Sequence, residues 1–206
     1  MLLVRIRAHH AGVVVVAGHV KGHIGPGIHL KPPFRRVVSV DLRPRILDIV
    51  SQRLRSSDGT DMDYRYKVRY AVRDPEVAAM AKVRLHDDLE RYMTEDPIAN
   101  IRNIPMVIGY SCHYALRKAS AMKRRAECLR KDEMSEALRA GLEEVLADTG
   151  IAVEEVKVMD AYPTNRGIEE GVAAITHQVV HPDGRTSILP IEEVDVHPAG
   201  LRRKRK

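Results

Sequence analysis

A chain of 206 residues, of which 44% are hydrophobic and 30% charged, has the composition of an ordinary globular protein and can bury one good core or two small ones. Seven Tyr, one Phe and no Trp argue against a base-stacking nucleic-acid surface or a carbohydrate groove, because both depend on exposed rings. The net charge of +6 owes much to the final LRRKRK, so it indicates a basic tail rather than a basic face.

The N-terminus and the cysteines indicate the compartment. The first residues, MLLVRIRAHH, place four apolar side chains before Arg5, too few for the core of a signal peptide or for a membrane span. Cys112 and Cys128 are sixteen residues apart in a predicted helix, which places them about 24 Å apart along its axis and argues against a disulfide. We therefore expect a cytoplasmic protein, with peripheral contact to a membrane as a further option.

The first half of the chain is predicted to form strands. The run GVVVVAGHV, Gly12 to Val20, is apolar and β-branched, which favours a central strand covered on both faces. Gly22, Gly25, Pro26 and Gly27 then predict a tight reversal. Three further strands are predicted at Arg36 to Val40, Ile46 to Leu54 and Met62 to Val72.

The last of these strands has the clearest pattern. Its apolar residues are Met62, Tyr64, Tyr66, Val68, Tyr70 and Val72, and its charged residues are Asp63, Arg65, Lys67 and Arg69. Alternation with a period of two places the two sets on opposite faces. The sequence therefore predicts a one-sided antiparallel sheet with a basic solvent face.

Helices are predicted in the middle of the chain. Asp74-Pro75 is a helix start, because Asp accepts the free amide hydrogens of the first turn and Pro at the first position has no N–H to lose. This helix continues through at least Met80. Leu85 to Met93 predicts another short helix, which ends at Glu95-Asp96-Pro97.

A long helix is predicted from near Tyr110, and small or apolar side chains repeat along it at spacings of four and three residues. They are Ala115, Ala119, Met122, Ala126 and Leu129. Small residues allow a partner surface to approach closely, so this stripe is a candidate oligomer interface. A second helix is predicted from Asp132 to a stop at Gly150. Its apolar residues are Leu138, Leu142, Val145 and Leu146.

The C-terminal part returns to strands. A strand is predicted at Ile151 to Met159, and a hairpin with a Gly-containing turn at Ala173 to Val180 and Thr186 to Pro190. From His197 onward, Pro, Gly and the basic residues predict a disordered tail.

Three segments carry a family resemblance. HIGPGIHLKPPFRRVVSVDLRP, His23 to Pro44, has a Gly-Pro-Gly turn, a short apolar strand, a Pro-Pro stop and a strand that ends in Arg-Pro. Ser56 to Ala79 has a turn, an alternating strand and an Asp-Pro that opens a helix, and Leu129 to Asp160 has an amphipathic helix followed by a strand. In this order the segments resemble the stomatin/prohibitin/flotillin (SPFH, or band 7) domain family.

The resemblance implies an α+β fold, a curved antiparallel sheet packed by helices, here with a C-terminal β-hairpin extension. We predict an SPFH/band 7-like domain at residues 1–160 with an insertion at 84–110, an extension at 161–196 and a basic disordered tail at 197–206. The insertion, the missing hydrophobic anchor and the missing coiled coil depart from the family's pattern.

The same resemblance implies a function. Family members build rings and cages at membranes, and some regulate proteases or channels there. We therefore expect a non-enzymatic scaffold that forms homo-oligomers, with membrane contact and a membrane protease or channel client as further expectations. The vault shoulder, a related soluble domain, shows that such a fold can also assemble without a bilayer. The turn Gly25-Pro26-Gly27 is expected to set the angle between the Val-rich strand and the strand at Ile28.

No catalytic, cofactor-binding or metal-binding site is predicted. His19, His23 and His29 flank the glycine turn, but their spacing matches no metal motif and strand geometry would scatter them. GHIGPG resembles a phosphate-binding glycine loop, yet a strand rather than a helix follows it.

Two other clusters are interpreted as structural. Ser111, Cys112 and His113 are neighbours on a predicted helix, where side chains point about 100 degrees apart and do not readily form a nucleophile-base pair. HDDLE, His86 to Glu90, is interpreted as a solvated acidic helix face, with a divalent-metal cluster as the alternative.

Two rival functions stay open. One is a basic accessory protein that binds nucleic acid, which would explain the positive charge of the tail. Nucleic acid is nevertheless a less favoured partner. The tail residues that could contact nucleic acid or anionic lipid are Arg202, Arg203, Lys204, Arg205 and Lys206. A metal-dependent hydrolase that uses His86, Asp87 and Asp88 is the less favoured rival. The basic segment AMKRRAECLRK could touch nucleic acid or lipid headgroups, or could pair with Glu143, Glu144, Glu154 and Glu155 of a neighbouring subunit.

Overall fold

The computed structural model describes residues 2–31, 33–81, 96–164, 171–181, 183 and 185–189. The strands are β1 Leu2–Ile6, β2 His10–Val16, β3 His19–Ile24, β4 Gly27–Lys31, β5 Arg35–Asp41, β6 Arg45–Arg55, β7 Asp61–Val72, β8 Ile151–Pro163, β9 Gly171–Val180 and β10 Thr186–Leu189. The helices are α1 Pro75–Met80, α2 Pro97–Met122, α3 Arg125–Cys128 and α4 Lys131–Leu146.

The strands form three antiparallel sheets. The orders are β1-β4, β3-β2-β5 and β10-β9-β6-β7-β8. Helix α2 packs on β6 and β9, α4 packs on β8, and the two helices pack on each other. The predicted α+β class, with antiparallel sheet packed by helices, is confirmed.

The Val-rich run departs from its prediction as a single strand, although its first half is the central strand of its sheet. Strand β2 lies between β3 and β5, with Val13 and Val15 buried. Ala17 and Gly18 have φ of 50° and 81°, which reverses the chain and starts β3. The glycine in this pair escapes the steric cost that other residues meet there, so the run becomes a hairpin.

The predicted alternation of strand β7 is confirmed, but the prediction that its charged face is basic is wrong, because acidic residues lie beside the cations. Tyr64 and Tyr66 are fully buried with the other apolar residues of that face. On the opposite face Arg65 contacts Asp48 of β6 at 2.9 Å, and Arg69 contacts Glu154 of β8 at 3.1 Å. Acids on both neighbouring strands therefore offset the cations.

The long helix begins earlier than predicted, at Pro97 rather than near Tyr110. The Asp96 carboxylate accepts a hydrogen bond from the Ile98 N–H at 3.0 Å, and Pro97 occupies the first helical position. The sequence predicts a stop at Glu95-Asp96-Pro97, but Asp96-Pro97 is a helix start of the same kind as Asp74-Pro75.

The predicted insertion at 84–110 therefore includes the first half of α2, where Ile104, Val107 and Ile108 belong to the hydrophobic core. The helix predicted at Leu85 to Met93 lies outside the described residues.

The C-terminal hairpin is present as β9 and β10, and β9 also pairs with β6 along its length. The segment predicted as an extension thus continues the five-stranded sheet, and the predicted boundary at residue 160 falls inside β8. The tail at 197–206 lies outside the described residues.

Candidate assembly and membrane surfaces

A groove runs between α2 and α4, and the helices pack tightly at Ala115 and Gly141 in its wall. A Cβ added at Gly141 would lie 2.7 Å from the Ala115 Cβ, so only glycine allows the helices to pack this closely. The groove has a volume of about 320 Å³. Its apolar lining includes Ala119, Met122, Ala137, Ala140 and Val145, and charged residues at its rim include Lys118 and Glu144.

The structure divides the predicted interface stripe into two parts. Ala115, Ala119 and Met122 line the groove, with Ala115 5% and Met122 73% exposed. Ala126 and Leu129 are exposed beyond the end of α2 and do not line the groove. The stripe was predicted on one continuous helix, so its single-face geometry is wrong.

Helix α2 ends at Met122 and α3 begins at Arg125, and the turn between β6 and β7 forms hydrogen bonds to this helix break. The Ser57 N–H donates to the Lys123 carbonyl at 2.9 Å, and the Arg125 N–H donates to the Asp58 carboxylate at 2.9 Å. The Lys123 carbonyl and the Arg125 amide at the break therefore have hydrogen-bond partners in a turn that is distant in sequence. The periodicity of the helix alone does not reveal such partners.

The missed half of the groove comes from α4. Ala137, Ala140 and Gly141 recur at spacings of three and four residues on that helix. Small residues at this spacing would have indicated a second surface for close helix packing.

A second exposed surface lies on the sheet β1-β4. Leu3 pairs with Leu30, and Arg5 pairs with Ile28, so the four side chains share one face. Leu3, Ile28 and Leu30 are 67%, 70% and 59% exposed. The alternation of Ile28 and Leu30 about His29 was the available sequence signal. We call these four residues the β1-β4 face.

The turn Gly25-Pro26-Gly27 joins β3 to β4, and the prediction that it sets the angle to the Val-rich strand needs correction. Strand β3 intervenes and pairs with β2, while β4 pairs with β1. Gly27 has a φ of 140°, which other residues rarely adopt. The turn therefore directs β4 away from β3 and into a separate sheet.

The histidines near this turn contact different partners. His23 Nδ1 lies 2.5 Å from the Glu76 carboxylate of α1, and His29 Nε2 lies 2.9 Å from the Gly25 carbonyl oxygen. Among the described residues no group of three His, Cys, Asp or Glu could hold a metal ion. His86 to Glu90 lies outside them.

The Ser111-Cys112-His113 cluster is part of the core side of α2. Burial raises the pKa of the Cys112 thiol well above its usual value, which disfavours the reactive thiolate. Burial, helped by the charge of Arg117, lowers the pKa of His113 to about 4. Cys112 and Cys128 are both free and buried. This environment favours a neutral, structural role.

Several acids predicted to pair with a neighbouring subunit have partners within the chain. Glu154 contacts Arg73 at 2.6 Å, and Glu143 contacts Arg139 at 2.8 Å. Glu144 contacts the exposed Lys118, at 3.9 Å. The tail residues 202–206 lie outside the described residues.

Comparison with known proteins bears on these surfaces. The family model described as SPFH domain / Band 7 family matches residues 4–176, which include both helices of the groove. No curated protein matches the chain. In the part of the chain that the structure describes, no helix is both long and apolar enough to cross a membrane.

Proposed function

Because this chain belongs to the SPFH domain / Band 7 family, we propose that it is a non-enzymatic cytoplasmic scaffold that forms homo-oligomers and organises protein complexes at a membrane surface. The family match over residues 4–176 carries the proposal. Family members are generally scaffold-type, membrane-associated proteins, and a membrane protease or channel is the client class we propose.

Self-assembly is supported by the groove. Met122, at 73% exposure, leaves apolar surface in water beside the small residues Ala119 and Ala140. Covering such surface contributes about 25 cal/mol per Å². A groove lined by small side chains also lets a partner approach the helix backbones closely.

Ala119→Glu and Met122→Glu are each expected to reduce the oligomer mass measured by light scattering, because each places a charge in the groove. Met122→Glu is the safer variant, since Met122 is 73% exposed. Ala121→Glu, on an exposed position of the same helix, is the matched control. Circular dichroism checks folding. Folded groove variants that keep the wild-type mass would reject the groove as an interface.

Two surfaces could provide membrane contact. The β1-β4 face presents Leu3, Ile28 and Leu30 beside the cation Arg5. The tail residues 202–206 add five positive charges, each worth about 1 kcal/mol near an anionic leaflet. Repeated contacts in an oligomer would act together and strengthen adhesion.

Sedimentation with vesicles separates the two contributions. We expect binding to phosphatidylserine vesicles at low salt, because the tail is attracted to the anionic surface, with release as salt rises. Deletion of residues 202–206 should remove this salt-sensitive binding without changing the oligomer mass. The double change Ile28→Ser and Leu30→Ser should remove any salt-resistant remainder, whereas Met80→Ser, an exposed apolar residue of α1, should not.

Binding to neutral vesicles by the tail-deleted chain would show a contact outside the tail, and its loss in the Ile28→Ser, Leu30→Ser variant would assign it to the β1-β4 face. Absence of vesicle binding at every salt concentration would reject the membrane part of the proposal.

A further inference from the structure

Phe34, the only Phe in the chain, lies between β4 and β5 and is 94% exposed. Its φ is 67°, a left-handed backbone conformation that bulky residues rarely adopt. Aromatic side chains, Phe among them, are enriched in the buried cores of protein interfaces. We call this exposed Phe34 side chain the knob.

The residues that follow Phe34 carry positive charge. Arg35 and Arg36 begin β5, and both are exposed. Within the described part of the chain, neither contacts a carboxylate. The knob is therefore flanked by two cations that are available to an acidic partner.

The groove between α2 and α4 has the complementary shape. Its volume of about 320 Å³ is at the scale that encloses small ligands, and Ala137, Ala140 and Gly141 leave space for a ring. Phe34 does not fill the groove of its own subunit, because almost all of its surface is exposed. The ring of Phe34 is therefore free to enter the groove of another copy.

The charge of α4 also matches. Glu136, Ala140 and Glu144 recur every four residues and share one side of the helix. Glu144 is 75% exposed, and its one ion pair among the described residues is with Lys118, at 3.9 Å. Glu136 is exposed and has no ion pair among the described residues. Carboxylates thus lie on both sides of Ala140 on the α4 side of the groove, where the two arginines would approach. The cations that line the groove, Lys118 and Lys123, lie on the α2 side and face Glu144 and Glu133.

We propose that Phe34 of one copy inserts into the α2-α4 groove of the next, with Arg35 and Arg36 facing Glu136 and Glu144. The inference rests on the proposed self-assembly. The knob and the groove are different surfaces, so the contact is head-to-tail and closes into a ring or continues as a filament. Such a contact would let copies add beyond a dimer through this groove alone.

The first test compares masses by light scattering over the micromolar range. Phe34→Ser, which removes the knob, and Ala140→Trp, which fills the groove at an exposed position, should each weaken association by at least about tenfold. Tyr162→Ser, at an aromatic residue 47% exposed on β8, is the control and should keep the wild-type mass.

Mixing the two variants gives the sharper test. The Phe34→Ser chain keeps an intact groove, and the Ala140→Trp chain keeps an intact knob. The intact knob of the Ala140→Trp chain can enter the intact groove of the Phe34→Ser chain, but no second contact can form. The mixture should therefore form a heterodimer, while each variant alone stays monomeric. A mixture that stays monomeric overturns the proposal.

A charge exchange provides the second test. Arg35→Glu with Arg36→Glu should weaken assembly, and mixing that chain with one carrying Glu136→Arg and Glu144→Arg should restore heterologous pairing. If the wild type is monomeric throughout, the proposed self-assembly fails and this contact with it. If the wild type is oligomeric and Phe34→Ser keeps its mass, this contact alone is overturned. Loss of vesicle binding at unchanged mass overturns it too, because Phe34 then belongs to the membrane surface.

Discussion

Gly150→Ala should lower the free energy of unfolding by about 3 kcal/mol or more, from backbone strain together with overpacking. Gly150 has a φ of 68°, and an added Cβ would clash with the Asp74 carbonyl oxygen and lie 3.1 Å from the Ala78 nitrogen. The Gly150 carbonyl also accepts the Arg73 N–H at 2.9 Å. The residue thus closes the turn after α4 against the start of α1, and any movement to relieve the clash would disturb both.

Gly18→Ala is the matched control, and urea titrations at equal protein concentration compare the two variants. Gly18 has a φ of 81° but no atom within 4 Å of an added Cβ. Its substitution should therefore cost only the left-handed backbone term, about 1 to 2 kcal/mol. Equal losses for the two glycines would show that crowding against Asp74 contributes nothing.

Strand β7 and the hairpin of β9 and β10 were predictable because their patterns are local. The alternation in β7 and the glycine-containing turn before β10 each lie within about a dozen residues, so residue order alone indicates them. The helix starts show the limit of the same reasoning. Asp74-Pro75 and Asp96-Pro97 are the same dipeptide, but a helix predicted before the second makes it resemble a stop.

The groove was not predictable from one segment. It needs α2 and α4 to meet at Ala115 and Gly141, and the contact depends on how both helices pack on the five-stranded sheet. Helical periodicity identified Ala119 and Met122, but it extended their stripe to Leu129 because nothing local shows the break after Met122. The partner of that break is the β6-β7 turn, far away in sequence.

Charge patterns failed for a related reason. The basic residues of β7 were visible in the sequence, but their acidic neighbours depend on strand order and register. Asp48 and Glu154 reach Arg65 and Arg69 only because β6 and β8 flank β7. A one-strand pattern therefore gives the face of a side chain and leaves its net charge environment open.

Asp41→Asn is expected to remove stability that the wild-type chain loses in acid. Asp41, at the end of β5, is 9% exposed, and its carboxylate accepts hydrogen bonds from Arg43 Nη2 at 2.6 Å and from Arg43 Nε at 3.0 Å. Arg45 Nη2 lies 3.5 Å away. Burial alone would raise the pKa of Asp41, but the hydrogen bonds from Arg43 and the charges of Arg45 and Arg43 outweigh it and lower the pKa below its usual value of 3.8.

The sign of the pH dependence follows from that lowered pKa. The unfolded chain binds the proton more readily than the folded chain, so the stabilisation is fully present above the ordinary pKa near 3.8 and is lost as pH falls through the folded pKa. At neutral pH Asp41→Asn should cost about 1 to 3 kcal/mol, at the low end of buried-pair values because Arg43 and Arg45 are 23% and 22% exposed. Urea midpoints between about pH 2 and pH 7 should therefore converge for the two proteins in acid.

Asp48→Asn is the control for this comparison. Its partners Arg65 and Lys67 are 52% and 42% exposed, so water screens the ion pairs and the loss of stability at neutral pH should be smaller, about 1 kcal/mol or less.

The destabilisation caused by Asp41→Asn should also reach the C-terminal hairpin, because Arg43 Nη1 lies 3.3 Å from His181 Nδ1 at the end of β9. Faster hydrogen exchange in β9 and β10 of Asp41→Asn than of Asp48→Asn is the expected result. A constant stability difference from neutral pH into acid would contradict the assignment, because an electrostatic contribution from this carboxylate must disappear once it is protonated.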